Sequence, residues 1–209
     1  MATYLFDFDG TLVDSMPTYG GLMLRILDEH GIAYGDDIIK IITPLGFVGT
    51  AEYFIGMGLD RSREELVALM TAYAVEAYTH RVPAKPHVIE TLRALKERGD
   101  RLNVLTASPH ETLDPCLKRL GIFDLFDNVW SCNDFATTKA DPAIYHMAAD
   151  RLGVPASDVI FLDDNYNADQ TAKAAGMRVY GVFDESSREY AAEIKAVTDR
   201  YIRDFSELL

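Results

Sequence analysis

The stretch LFDFDGTLVDS, residues 5–15, decides how the chain is read. Tyr4, Leu5 and Phe6 form the apolar end of a buried strand. Two carboxylates, Asp7 and Asp9, follow at once, one residue apart, and then Gly10 and Thr11. Strand alternation places Asp7 and Asp9 on one side and Phe8 on the other. Carboxylates so close repel unless a cation or a shared proton relieves them. Gly10 permits a tight turn and Thr11 a local hydrogen bond. An isolated Asp-Gly is often only a turn, so the stretch raises a question that the rest of the chain must answer.

Downstream of Arg101, strand-like and helix-like segments alternate. RLNVLT reads as a strand and ETLDPCLKRLG as a helix stopped at Gly121. NVWS is a short strand. ADPAIYHMAADRLG is a helix with Asp141 at its cap and Pro142 in its first turn. DVIFLDD, DQTAKAAG and MRVYGVF continue as strand, helix and strand. Such alternation predicts a Rossmann-like α/β core, a parallel sheet joined by right-handed crossovers and covered by helices. Residues 15–83 break the pattern with helical segments, among them SREELVALMTAYAVEAYTH, opened by Ser62 and Glu65 in capping-box spacing. The expected organisation is a core from 1–14 and 84–209, a helical cap inserted at 15–83, and VPAKPH as the return linker into a helix at HVIETLRALKERG.

DVIFLDDN repeats the pattern of the opening stretch: an apolar strand ends on Asp163 and Asp164. Sites in open α/β sheets form at the carboxyl ends of strands, so two acidic strand ends point to one hard cation with oxygen ligands. Mg²⁺ fits, because it takes few carboxylates and keeps positions for water and phosphate. Between the acidic ends, Thr106 closes a strand, and its hydroxyl and the amides after it, starting at Ala107, suit an oxyanion. Lys139 offers a counter-charge. Taken singly, a strand threonine and a surface lysine carry little weight.

Composition narrows the class. The chain has 209 residues, 48% of them hydrophobic, and a formal net charge of -13. A packed globular protein follows, and a general binder of nucleic acid or anionic membrane does not. No apolar run approaches bilayer length, and the few residues before Asp7 lead to the expectation of no signal sequence. Cys116 and Cys132 make no disulfide framework and read as buried free thiols. These features together fit the expectation of a cytoplasmic enzyme, and they do not exclude an anionic small substrate.

DFDGT, LTAS, the Lys139–Pro142 segment and FLDDN, in that order, resemble the haloacid dehalogenase-like hydrolase superfamily. The likeness is greatest to its phosphatases with a helical cap after the first strand, the phosphoglycolate phosphatase-like and β-phosphoglucomutase-like members. The resemblance implies that Asp7 is the nucleophile and Asp9 the acid/base. It implies phosphate binding by Thr106, Ala107 and Lys139. It also implies Mg²⁺ held by Asp7, Asp164 and the Asp9 carbonyl, with Asp163 in support. The implied substrate is a small phosphorylated metabolite.

Two departures stand out. Ala168, with Asp169 beside it, occupies a position that is acidic in many relatives. Pro86-His87 replaces a frequent Pro-Gly. A His near Tyr19 and an Arg near Val48, expected of a β-phosphoglucomutase-type mutase, are absent, which favours hydrolysis over the mutase alternative. A non-catalytic phosphometabolite-binding protein is disfavoured by the full set of Asp7, Asp9, Thr106, Lys139 and Asp164. The segment TPLGFVGTAEYF, with Thr43, Thr50 and Glu52, is expected to face the site and set the substrate; His80 and Arg81 could serve a carboxylate or second phosphate, though charges at a helix end are more often simply solvated.

Overall fold

The computed structural model describes residues 1–209, apart from the side chain of Pro44. Its chain divides into two compact units, Met1–Asp14 with Pro83–Leu209, and Ser15–Val82.

The first unit is built on six parallel strands. They are β1 (Thr3–Phe6), β2 (Arg101–Thr106), β3 (Asn128–Ser131), β4 (Val159–Asp163), β5 (Arg178–Val182) and β6 (Arg200–Ile202), in the order β3-β2-β1-β4-β5-β6. β1 pairs with β2 on one side and β4 on the other, so Leu5 stands opposite both Asn103 and Phe161. The chain winds outward from β1 in both directions. The carboxyl end of β1 therefore lies where the strand order reverses, the place where such sheets bind ligands.

Every residue of β1 and β4 is buried. A parallel sheet covered on both faces requires such runs in place of an alternating pattern. On one face Leu5, Phe161 and Val179 join Ile144, Tyr145 and Ala148 in the core. On the other, Phe6 packs against Phe205 and Phe126 with ring centroids 6.1 and 6.4 Å apart. The covering helices of this unit are α5 (Val88–Glu97), α6 (His110–Arg119), α7 (Ala143–Leu152), α8 (Tyr166–Ala174) and α9 (Ala191–Val197). The α5 helix starts from His87, whose φ of 60° lies in the left-handed region. The replacement of Pro-Gly by Pro-His thus puts a strained side chain at a position suited to glycine. Its Nδ1 lies 2.6 Å from Asp204 Oδ2, a contact that a glycine would not make.

The second unit is helical: α1 (Met16–Glu29), α2 (Ile38–Ile42), α3 (Gly46–Gly56) and α4 (Arg63–His80). The Ser62–His80 stretch is one helix, and its start is the expected capping box. The Ser62 side chain accepts from the Glu65 amide, and the Glu65 carboxylate accepts from the Ser62 amide. In α1 the residues Leu22, Met23, Ile26 and Leu27 are buried, one stripe at helical spacing. TPLGFVGTAEYF runs from a single tight turn into α3. There Phe47 stacks on Tyr19, centroids 5.9 Å apart, and Thr50 donates to the Ile42 carbonyl.

Two features differ from the sequence expectation. The units divide after Val82, one residue before the expected break. The sheet also does not end at Phe183: α9 and the three-residue strand β6 extend it.

Candidate active site

Asp7 and Asp9 lie beyond the strand. β1 ends at Phe6, and the Asp7 amide makes one last sheet-like bond, 2.8 Å to the Leu162 carbonyl. Simple strand alternation therefore does not govern the two carboxylates. A turn follows in which Leu12 and Val13 both donate to the Phe8 carbonyl, and Phe8 itself is fully buried.

At the turn, Gly10 has a φ of 72°, and a Cβ there would stand 2.5 Å from Asp164 Oδ2. Backbone conformation and close approach both require glycine. Thr11 Oγ1 donates to Asp164 Oδ1 at 3.0 Å, binding the two acidic strand ends together.

Asp7, Asp163 and Asp164, all buried, each offer a carboxylate oxygen, and these oxygens lie within 4.8 Å of one another. Lys139 inserts into this group. Its Nζ donates 2.6 Å bonds to Asp7 Oδ1 and to Asp163 Oδ2. One ammonium against three carboxylates leaves the cluster negative. Burial, then the nearby Asp163 and Asp9 charges, push Asp7 up to about 7 against the pull of Lys139. Burial and the Asp163 and Asp7 charges push Asp164 up as well. Burial works against the charge on Lys139, yet Asp163 and Asp7 outweigh it and hold its pKa high. A buried, all-oxygen, undercompensated set of this kind suits a hard divalent cation, so the cluster could hold a metal ion.

Asp9 is held elsewhere. Its Oδ2 accepts a hydrogen bond from Ser108 Oγ, and its carboxylate is not part of the three-oxygen cluster. Thr106 is buried at the end of β2, and its Oγ1 accepts from the Ser108 amide at 3.1 Å. Ala107 lies between them in that turn. The LTAS stretch thus reaches the β1 turn through Ser108. Sequence reasoning quoted this serine without singling it out.

Tyr145 was missed outright. Its hydroxyl lies 3.1 Å from the Lys139 carbonyl and 3.2 Å from the Ala168 carbonyl, anchoring the loop that carries Lys139. Only a general preference for bonded buried tyrosines could have flagged it. At the departure in α8, Ala168 and Asp169 are both buried. Among the described residues, neither carboxylate oxygen of Asp169 has a hydrogen-bond partner. Burial and the Asp163 and Asp164 charges push its pKa far up.

Residues 1–176 match a family model described as haloacid dehalogenase-like hydrolase. The chain is 32% identical over 180 residues to the pyrophosphatase PpaX of Bacillus velezensis, covering 85% of this chain and 81% of that one. It is 30% identical over 213 residues to a phosphoglycolate phosphatase of Rhodospirillum rubrum, covering 98% and 88%. In fold it is similar to a crystal structure described as a putative beta-phosphoglucomutase from Thermotoga maritima. That comparison has a TM-score of 0.84 at 23% identity and covers 100% of this chain and 97% of the other.

Proposed function

The chain belongs to the haloacid dehalogenase-like hydrolase family, and from that premise we propose that it is an Mg²⁺-dependent phosphatase acting on a small phosphorylated metabolite through an aspartyl-phosphate. The observation that carries this reading is the setting of Asp7, a buried carboxylate gripped by Lys139 at 2.6 Å within a ring of acidic oxygens.

Asp7 attacks phosphorus, and the bond to the leaving oxygen breaks as the Asp7–phosphorus bond forms. Asp9, held by a different partner on a different element, protonates the leaving oxygen and then takes a proton from the water that hydrolyses the aspartyl-phosphate. Lys139, the Thr106 hydroxyl and the amides from Ala107 onward bind the phosphoryl oxygens, where charge spreads in the transition state. Asp7, Asp164 and the Asp9 carbonyl would hold Mg²⁺, with Asp163 supporting them. When bound, the ion neutralises charge on the carboxylates and the phosphoryl group. The helical unit Ser15–Val82 is read as the cap that selects the substrate.

Phosphate release from an aryl phosphate, with Mg²⁺ and with chelator, tests the activity. Rapid-quench labelling tests the intermediate: the parent should carry protein-bound phosphate and Asp7→Asn should carry none. Equal labelling of both would remove Asp7 from the nucleophile's role.

A further inference from the structure

The return segment into the core does more than link the units. Pro83 accepts from the Asp14 amide at 3.0 Å, Ala84 bridges Val13, and the Lys85 amide donates to the Leu12 carbonyl at 3.0 Å. The Lys85 side chain then turns inward, 13% exposed. Its Nζ donates to the Gly10 carbonyl at 2.6 Å, to the Phe183 carbonyl at 2.5 Å and to Asp184 Oδ2 at 3.0 Å. An ammonium has three N–H groups, so all of them are used. Asp184, just past β5, is itself fully engaged. Its Oδ1 accepts from the Ser186 amide at 2.9 Å and from Ser186 Oγ at 2.6 Å. Gly10 is thus gripped at its carbonyl by Lys85 while its Cα lies against the Asp164 carboxylate.

We infer that Lys85 is a positioning residue, an ammonium latch that fixes the Asp7–Gly10 turn to the end of β5 so that Asp7 and Asp9 are held in reacting geometry. The inference rests on the phosphatase reading of the site. Lys139 and Lys85 divide the work of holding one turn: Lys139 grips side-chain carboxylates, and Lys85 grips backbone carbonyls. A bare electrostatic role would need only proximity to the acidic cluster. Two carbonyl acceptors and a fully bonded carboxylate show a group placed for geometry. Displacing reacting groups by about 1 Å costs up to about 10²-fold in rate.

The test separates geometry from stability. Lys85→Met alone leaves Asp184 buried without its cation, so both the melting temperature and kcat should fall. The double variant Lys85→Met/Asp184→Asn removes the buried ion pair and leaves no uncompensated charge, while the amide oxygen can still accept from Ser186. Its melting temperature should return toward the parent's, while kcat on an aryl phosphate stays down about 10- to 10²-fold with KM little changed. Recovery of kcat along with the melting temperature would make Lys85 merely structural and overturn the inference. The backbone amide resonances of Gly10 and Thr11 give a readout that needs no activity. They should move in the double variant while those of Arg101–Thr106 hold, and unmoved resonances would also overturn it. A parent without turnover on any phosphate would sink the phosphatase reading, and the same resonances would still decide whether Lys85 holds the turn.

Discussion

Each end of the β1–β2 strand pair buries an aspartate, and the two are held in opposite ways. At the amino end of β2, Asp100 is 3% exposed and accepts from the Ala2 amide at 2.6 Å and from Arg98 at 2.7 Å. Burial opposes its charge, but the Ala2 amide and Arg98 outweigh burial and hold its pKa below the usual carboxylate range. At the carboxyl end, Asp7 is 4% exposed and shares one ammonium with Asp163, and its pKa rises to about 7. Neither side chain meets much solvent, but Asp7 lies deep in the fold and Asp100 near its surface, and Asp100 also has the better supply of donors. Shallow burial with enough donors keeps a carboxylate charged, whereas deep burial short of donors raises its pKa and suits a cation.

Substitution should separate the two carboxylates most at Asp7. Asp7→Asn should cost at least about 10⁴-fold in kcat, since losing a nucleophile removes the reaction path itself. In chelator its melting temperature should not fall, because one charge leaves an overcrowded cluster. Calorimetry showing marked destabilisation would mean that Asp7 is held as firmly as Asp100.

Asp9→Asn comes next, with an expected loss of about 10²–10⁴-fold in kcat. The loss should be least, in the labelling step, for aryl phosphates with good leaving groups, which need little protonation. Equal loss across leaving groups, measured as a series, would remove Asp9 from the donor's role.

Asp100→Asn should reverse the pattern of Asp7→Asn: kcat unchanged and stability reduced by about 1–3 kcal/mol, read from denaturant unfolding. A folded pKa below the unfolded value of about 3.9 means that this stability is present above that pH. It is lost as pH falls through the folded pKa. The asparagine variant should therefore lose part of the parent's acid sensitivity.

The smallest effect is expected at His110, whose Nδ1 and Nε2 lie 2.8 and 2.9 Å from Asp114 and Asp134. Bonds to both carboxylates raise its pKa against the opposing effect of burial. The contribution should be present below about pH 6.5 and fade as pH rises through the higher folded value. Solvent screens this half-exposed pair, so His110→Gln should cost under about 1 kcal/mol at pH 6 and less at pH 9.

What the sequence made legible was whatever interrupts a pattern. The parallel core could be read because apolar runs such as VIFL and YLF recur between helical stretches. The acidic strand ends stood out because carboxylates rarely follow such runs. Lys139 was visible through the Asp-Pro helix start behind it. The helical unit was visible because strand alternation stopped, and Ser62 with Glu65 marked the start of α4. The rest stayed hidden because it depends on long-range pairing. β6 has three residues, Arg200, Tyr201 and Ile202, too few to show a period. Lys85 sits between two prolines and reads as linker, since its partners Gly10 and Asp184 are far away in the sequence. Asp169 could be seen beside Ala168, but not its complete burial without a partner, which only the packing of α8 creates.

The short contacts between Asp14 and Pro83 and between Val13 and Ala84 carry a consequence for how such a molecule can change over generations. The chain leaves the core and re-enters it within one hydrogen bond, so for the core everything between is a closed loop. The entropy of closing a loop grows only with the logarithm of its length, about 0.6 kcal/mol for each doubling. The stretch between Asp14 and Pro83 can therefore be lengthened, trimmed or exchanged for another fold with little penalty to the sheet. The carboxylate cluster is anchored in one unit, and the other unit is free to be rewritten without disturbing it.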